Sequence, residues 1–294
     1  MESVAAANPT RTMPAAGLAK PFQWLLKQNR RSLIGLGLLL PIVVLAIAAP
    51  YLPLQHPNEA NPAASMLGPS LDHPFGTDKL GRDILSRCLG GARISLLIGA
   101  SAAGLALAMG IVLGIVAGFM GKVVDRTIMT LVDIMLSFPS LLLVLCIVAV
   151  YGNGFTQIVL AIAVADAPRA IRLQRALALG LKSRPYIDAA RMAHAPTWFI
   201  LVRHILPNTI APMIVVASIY AANAILTEAS LSFLSLGILP PDPSWGNIIS
   251  EGRPYLQTAW WISTFPGLML ALVAVSLHLI SDGIRQELDP RLGA

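Results

Sequence analysis

Residues 95–121 read SLLIGASAAGLALAMGIVLGIVAGFMG, an apolar stretch without one charged side chain. A helix needs about 20 apolar residues to cross a bilayer, and a core helix of a soluble domain is seldom this long and uncharged. The stretch therefore predicts a transmembrane helix. Ala102, Ala106, Gly110, Gly114 and Gly118 recur within it at four-residue spacing. That spacing sets five small residues on one stripe, against which another backbone, of this chain or of a partner, can approach closely.

The rest of the chain agrees. Of 294 residues, 55% are apolar and 12% charged, with mean hydropathy +0.70, against roughly 25% charged in soluble domains. This excludes a soluble enzyme, a collagen, a coiled coil and a disordered chain. Apolar runs predict an all-α membrane protein with six spans, at about 32–54, 95–121, 127–150, 155–168, 209–236 and 262–280. Residues 1–31 form a tail that is Ala/Pro/Thr-rich and then basic, too long for a signal n-region; the first run reads as an uncleaved anchor of a membrane domain spanning 32–294. The fourth run is short and contains Asp166, and Arg169, Arg172 and Arg175 follow at helical spacing as if the helix continued into water.

The net charge of +6 implies membrane lipid rather than nucleic acid, because the basic residues flank the spans. With both termini cytoplasmic, sixteen of the 21 Lys and Arg fall inside and five outside (Lys79, Arg82, Arg87, Arg93 and Arg253), as the positive-inside rule requires. Two long outer loops, 55–93 and 237–261, and one inner loop, 169–208, connect the spans. None is large enough for an enzyme domain.

Chemistry-bearing motifs are scarce. Cys88 and Cys146 do not form a disulfide framework, and His194, His204 and His278 lack a second ligand at metal spacing, so no metal site is expected. No G-x-S-x-G or H-E-x-x-H constellation supports an intramembrane enzyme. A phosphate loop is missing too: Gly121 and Lys122 adjoin, but Val116 holds the first Gly position and Val123 follows. Intramembrane charge is costly, about 2.5–3.5 kcal/mol at the bilayer centre. Asp133, Asp166 and Glu228 therefore either find local partners near the span ends or line a pathway. In the first outer loop, Asp78, Lys79, Arg82, Asp83 and Arg87 form either a salt-bridged cap or a contact surface.

The inner loop carries the most informative segment, YIDAARMAHAPTWFILVRHILP at 186–207. Helix formers followed by Pro196 predict a short helix over 188–195. Its small Ala189, Ala190 and Ala193, flanked by Tyr186 and Arg191, would present a low-relief surface to another protein.

This segment resembles the EAA loop of ABC importer permeases, E-A-A, three residues, G, then a hydrophobic stretch ending near L-P. Asp188, Ala189, Ala190, Leu206 and Pro207 match, with Asp for Glu. His194 occupies the Gly position, which leaves the turn geometry there open. Five further blocks, His73–Leu96, Val132–Leu143, Leu231–Gly246, Trp260–Gly267 and Ser281–Leu292, resemble the C-type permease of the dipeptide, oligopeptide and nickel importer group, in order from about Arg30 onward.

The resemblance implies a type I ABC importer permease fold in a bacterial plasma membrane and a coupling role for Tyr186, Asp188, Ala189, Ala190, Arg191, His194, Leu206 and Pro207. It further implies a second permease chain, two ATPase subunits or domains that carry ATP and Mg, and an extracytoplasmic binding protein docking on the outer loops. This chain would bind no cofactor and catalyse no reaction. Peptides are the expected cargo, with nickel, metal chelates or glutathione as alternatives within the group. An ion-coupled secondary transporter using Asp133, Asp166 and Glu228 is the competing class; it leaves the EAA-like loop without a purpose.

Overall fold

The computed structural model describes residues 30–288. The predicted tail lies outside them apart from Arg30 and Arg31, as do the closing residues of the last sequence block. The described residues are helical, with no strand among them beyond one isolated bridge between Thr77 and Asp83. In chain order the helices are α1 (Arg30–Ala48), α2 (Ile84–Met120), α3 (Lys122–Leu136), α4 (Ser140–Tyr151), α5 (Phe155–Lys182), α6 (Pro185–Met192), α7 (Thr197–Ile200), α8 (Leu206–Phe233), α9 (Trp245–Gly252) and α10 (Trp261–Leu288). A wider helical turn, Leu201–Ile205, joins α7 to α8.

Four helical segments are long and apolar enough to cross a membrane, at 30–51, 84–120, 197–233 and 261–286. The single span predicted at 127–150 is instead two helices, α3 and α4, meeting at 90°. Pro139 accounts for the break: it lacks an N–H for the helical ladder, and its ring disfavours helical backbone at Phe138. If the bent pair counts as one span the total is five, one fewer than predicted. The fourth predicted span lies inside α5, whose 28 residues continue well beyond 168 through the basic series Arg169, Arg172 and Arg175.

Helix α2 is the axis. It starts eleven residues before the stretch quoted first, because the Asp83 carboxylate caps it by accepting from the Ser86 N–H at 2.8 Å. Its 37 residues span about 55 Å at 1.5 Å per residue, so its two ends lie on opposite faces of the molecule. The small stripe packs within this chain, against α5: a Cβ added at Gly110 would lie 2.5 Å from the Ala170 Cβ. One added at Gly114 would lie 2.6 Å from the Gln174 Cβ and 2.7 Å from the Ile171 carbonyl oxygen. Ala102 and Ala106 are buried along the same line. Around this pair, α8 closes one side, α3 and α4 another, and α1 packs against α10 at the periphery.

The loop before α2 is a folded cap. Arg82 donates to Asp78 at 2.5 Å and to Glu251 at 2.6 Å, and the fully buried Arg87 donates to the same Glu251 oxygen at 3.1 Å. Trp245 and Trp261 tie α9 and α10 to this region by donating their indole N–H groups to the carbonyls of Cys88 and Thr77, both at 3.0 Å. Of the two sequence readings, the salt-bridged cap describes Asp78, Arg82 and Arg87.

The α2–α5 approach is testable on one helix. Gly114→Leu should destabilise the purified chain by about 1–3 kcal/mol through overpacking, read as a lower melting temperature in detergent. Gly104→Leu, where an added Cβ meets nothing within 4 Å, should leave the melting temperature nearly unchanged.

Candidate functional site

At the far end of α2 the 183–196 connection folds back on the helix bundle. Pro185 suits the first turn of a helix, its missing N–H being one that no helix satisfies at that position, so α6 begins at Pro185, three residues earlier than expected, and ends at Met192 rather than Ala195. Ile187 is fully buried among Ile115 and Phe119 of α2, Ala178 of α5, and Ile200 and Ile205. Arg191 stacks over the Phe119 ring at 5.2 Å, and the Lys182 ammonium donates to the Phe119 carbonyl at 3.0 Å. One buried isoleucine thus fixes a short helix to the ends of both central helices.

The turn after α6 resolves the question raised by His194. The His194 N–H donates to the Arg191 carbonyl at 2.9 Å and the Ala195 N–H to the Ala190 carbonyl at 3.1 Å. These are the paired bonds of a Schellman cap, whose key residue is left-handed and usually glycine. His194 occupies that position with φ 55°. The geometry expected of Gly is kept, with a side chain that tolerates the left-handed region better than most.

Outward from this anchor the surface is apolar. Tyr186, Ala189 and Met192 share the exposed face of α6, Met192 at 75% exposure, with Trp198 at 66% and Phe199 beside them. Asp188 and Arg191 are exposed at the rim and pair loosely at 3.4 Å. Leu206 and Pro207 are placed differently: they open α8, and Leu206 packs under the Ile187 cluster rather than on the exposed face.

The three acids expected in the membrane have separate surroundings. Asp133 is exposed and accepts from Arg172 at 2.6 Å, linking α3 to α5. Asp166 is nearly buried, accepts from Arg169 at 2.9 Å, and borders an open groove between α4, α5 and α8. Glu228 is fully buried with no Arg or Lys beside it among the described residues. Its carboxyl accepts from Ser232 at 2.7 Å, Ser244 at 2.9 Å and Ser95 at 3.5 Å. Those serines belong to α8, the α9 cap and α2, so Glu228 fastens three elements together. Sequence reading missed this hydroxyl cluster because Ser95, Ser232 and Ser244 carry no common spacing.

Two outcomes follow. His194→Gly should preserve the cap and slow amide exchange over 185–195, whereas the β-branched His194→Val should accelerate it. Glu228→Leu should cost about 1–3 kcal/mol by orphaning buried hydroxyls and lower the melting temperature; Glu228→Gln, which keeps an acceptor oxygen, should cost less.

Comparison with known proteins places this arrangement. The family model described as "binding-protein-dependent transport system inner membrane component" matches residues 110–294. A putative peptide transport system permease protein of Brucella abortus is 42% identical, over 91% of this chain and 90% of its own length. The di/tripeptide transport system permease protein of Pseudomonas aeruginosa is 40% identical over 99% and 98%. Among solved structures, the inward-facing MetNI methionine ABC transporter superposes with TM-score 0.56 at 17% identity, covering 70% of this chain and 98% of that one, a likeness of fold. With the family match and relatives of this identity over nearly the whole chain, the protein belongs to the binding-protein-dependent transport system inner membrane components, the multi-pass permease subunits of ABC importers.

Proposed function

We propose that this chain forms half of the translocation pathway of an ATP-driven importer of short peptides, and that α6 is its coupling element. The observation that carries this reading is the α6 surface: a helix anchored by Ile187 to both central helices, yet exposing Tyr186, Ala189, Met192 and Trp198 to solvent. Monomeric proteins rarely expose such patches without a partner to cover them, and the EAA-type motif falls on it. Tyr186 and Ala189 supply the contact, Ala190 turns partly inward against the Ile187 cluster rather than lying on the exposed face as expected, Asp188 and Arg191 form the charged rim, and the His194 turn sets its shape. Leu206 and Pro207 form the hinge through which α6 motion enters α8. ATP and Mg belong to two ATPase subunits, the chain itself holding no cofactor, and a second permease chain completes the pathway.

In this reading α5 is a span buried by its neighbours, which brings the total to six and both termini to the cytoplasm of a bacterial inner membrane. The sixteen-to-five division of basic residues supports that orientation. The folded cap at 55–83 and the 237–260 segment then face outward, where a binding protein delivers solute. The names of the relatives favour peptides over nickel, metal chelates or glutathione, and an ion-coupled carrier has no use for the α6 surface.

Asp188→Arg and Ala190→Arg should each abolish co-purification of ATPase subunits in mild detergent while membrane insertion stays normal; normal assembly and uptake would remove the coupling assignment. A reporter active only in the cytoplasm, fused after Asn61, should be silent, and a signal there would reverse the topology. Proteoliposomes holding the whole transporter and its binding protein should accumulate labelled dipeptide on adding ATP; accumulation of glutathione or nickel instead would replace the substrate class.

A further inference from the structure

Tyr220, Asn223, Thr227 and Ser230 follow one another at intervals of three, four and three along α8, which places them on a single stripe of an otherwise apolar helix. The stripe borders the groove between α4, α5 and α8, of about 520 Å³, together with Asp166 and Arg169. Among the described residues, Asn223 and Thr227 make no side-chain hydrogen bond, although both are partly buried. An unpaired amide facing lipid is expensive, so this stripe is built for a polar occupant.

The opposite wall supplies charge. Arg169 donates to Asp166 at 2.9 Å and approaches the Ser140 hydroxyl at 3.5 Å, yet its side chain is 48% exposed. A guanidinium carries five N–H donors, so several stay open to the groove. Asp133 and Glu228 lie outside it. Glu228 follows Thr227 by one residue and turns about 100° away, into its serine cluster.

We propose that this groove is the stretch of solute conduit contributed by the chain, and that it takes small solutes bearing a carboxylate and amide groups. Arg169 meets the carboxylate, with its charge tempered by Asp166. Asn223, which both donates and accepts, meets peptide bonds, and the hydroxyls of Tyr220 and Thr227 carry the polar lining along α8. The volume suits a molecule of dipeptide size. The inference rests on the importer reading above, and it goes further by naming where the solute passes and what meets it.

The test uses the assembled transporter in proteoliposomes with its binding protein and ATP. Cys146 is exposed and Cys88 buried, so Thr227→Cys is made in a Cys146→Ser background and treated with a cationic methanethiosulfonate. Labelling should lower dipeptide uptake at least tenfold while the second permease and the ATPases stay bound. Ile214→Cys, exposed elsewhere on the same helix, should leave uptake unchanged under the same treatment. Ser230→Cys, about one turn along the stripe, replaces Thr227→Cys should the latter fail to assemble. Uptake that persists after complete labelling, or a cysteine that never labels in an active transporter, overturns the proposal. So does labelling that releases the second permease, since the groove would then be a subunit interface. If the unsubstituted transporter carries no dipeptide, the substrate reading fails instead, and the labelling is read on the solute that the binding protein does deliver.

Discussion

The close approach of α2 and α5 is the constraint on which the other packing depends. Without side chains at Gly110 and Gly114, α5 sits against α2 backbone to backbone, and the contact extends to Gly118, where a Cβ would lie 2.9 Å from the Ala178 Cβ. Small residues serve this purpose in membranes because lipid tails offer no hydrophobic drive between helices, leaving dispersion between close surfaces to hold them together. The same approach buries the apolar part of α5 and leaves its arginines to find partners. Arg172 reaches Asp133 and Arg175 reaches Asp125, both on α3, so the basic half of α5 is tied to its neighbour by ion pairs.

The two ends of this central pair are finished in opposite ways. At the α2 N-terminus the charged groups are gathered inward: Arg82 pairs with Asp78 and Glu251, Arg87 with the same Glu251, and Glu228 is held by serines from three elements. Breaking one member of such a group is costly because its partners stay buried, so this end behaves as a rigid lid. At the α2 C-terminus a short helix rests on one buried isoleucine and exposes aromatic and apolar side chains. Rigidity at one end and an exposed, single-anchor element at the other suit a subunit that is pushed from one side and opens on the other.

Between these ends lies the polar stripe of α8. Its neighbours on the same helix show how environments are divided by helical angle: Leu226 and Thr227 border the groove, whereas Glu228 is sealed in the serine cluster. Adjacent residues thus serve opposite environments, because each step along a helix turns by about 100°.

Much of this was legible in the sequence. Runs without Asp, Glu, Lys or Arg over 32–54, 95–121 and 262–280 are stable in lipid as helices, because a helix satisfies its backbone within the segment. The DAA segment and the position of His194 were likewise readable, since they are contiguous along the chain. The bend at Pro139 was written in the sequence too, but an unbroken hydropathy run concealed it. Tertiary structure decided the rest. It assigned the Gly stripe to α5 rather than to another chain, because only packing chooses the partner of a small-residue face. It gathered Ser95, Ser232 and Ser244 around Glu228 across 150 residues of chain. It also separated Asp133, Asp166 and Glu228, alike as intramembrane acids in sequence, into a surface ion pair, a groove wall and a buried clasp. A carboxylate's role in a membrane depends on which donors surround it, and donors brought together from distant helices leave no periodic mark in the sequence.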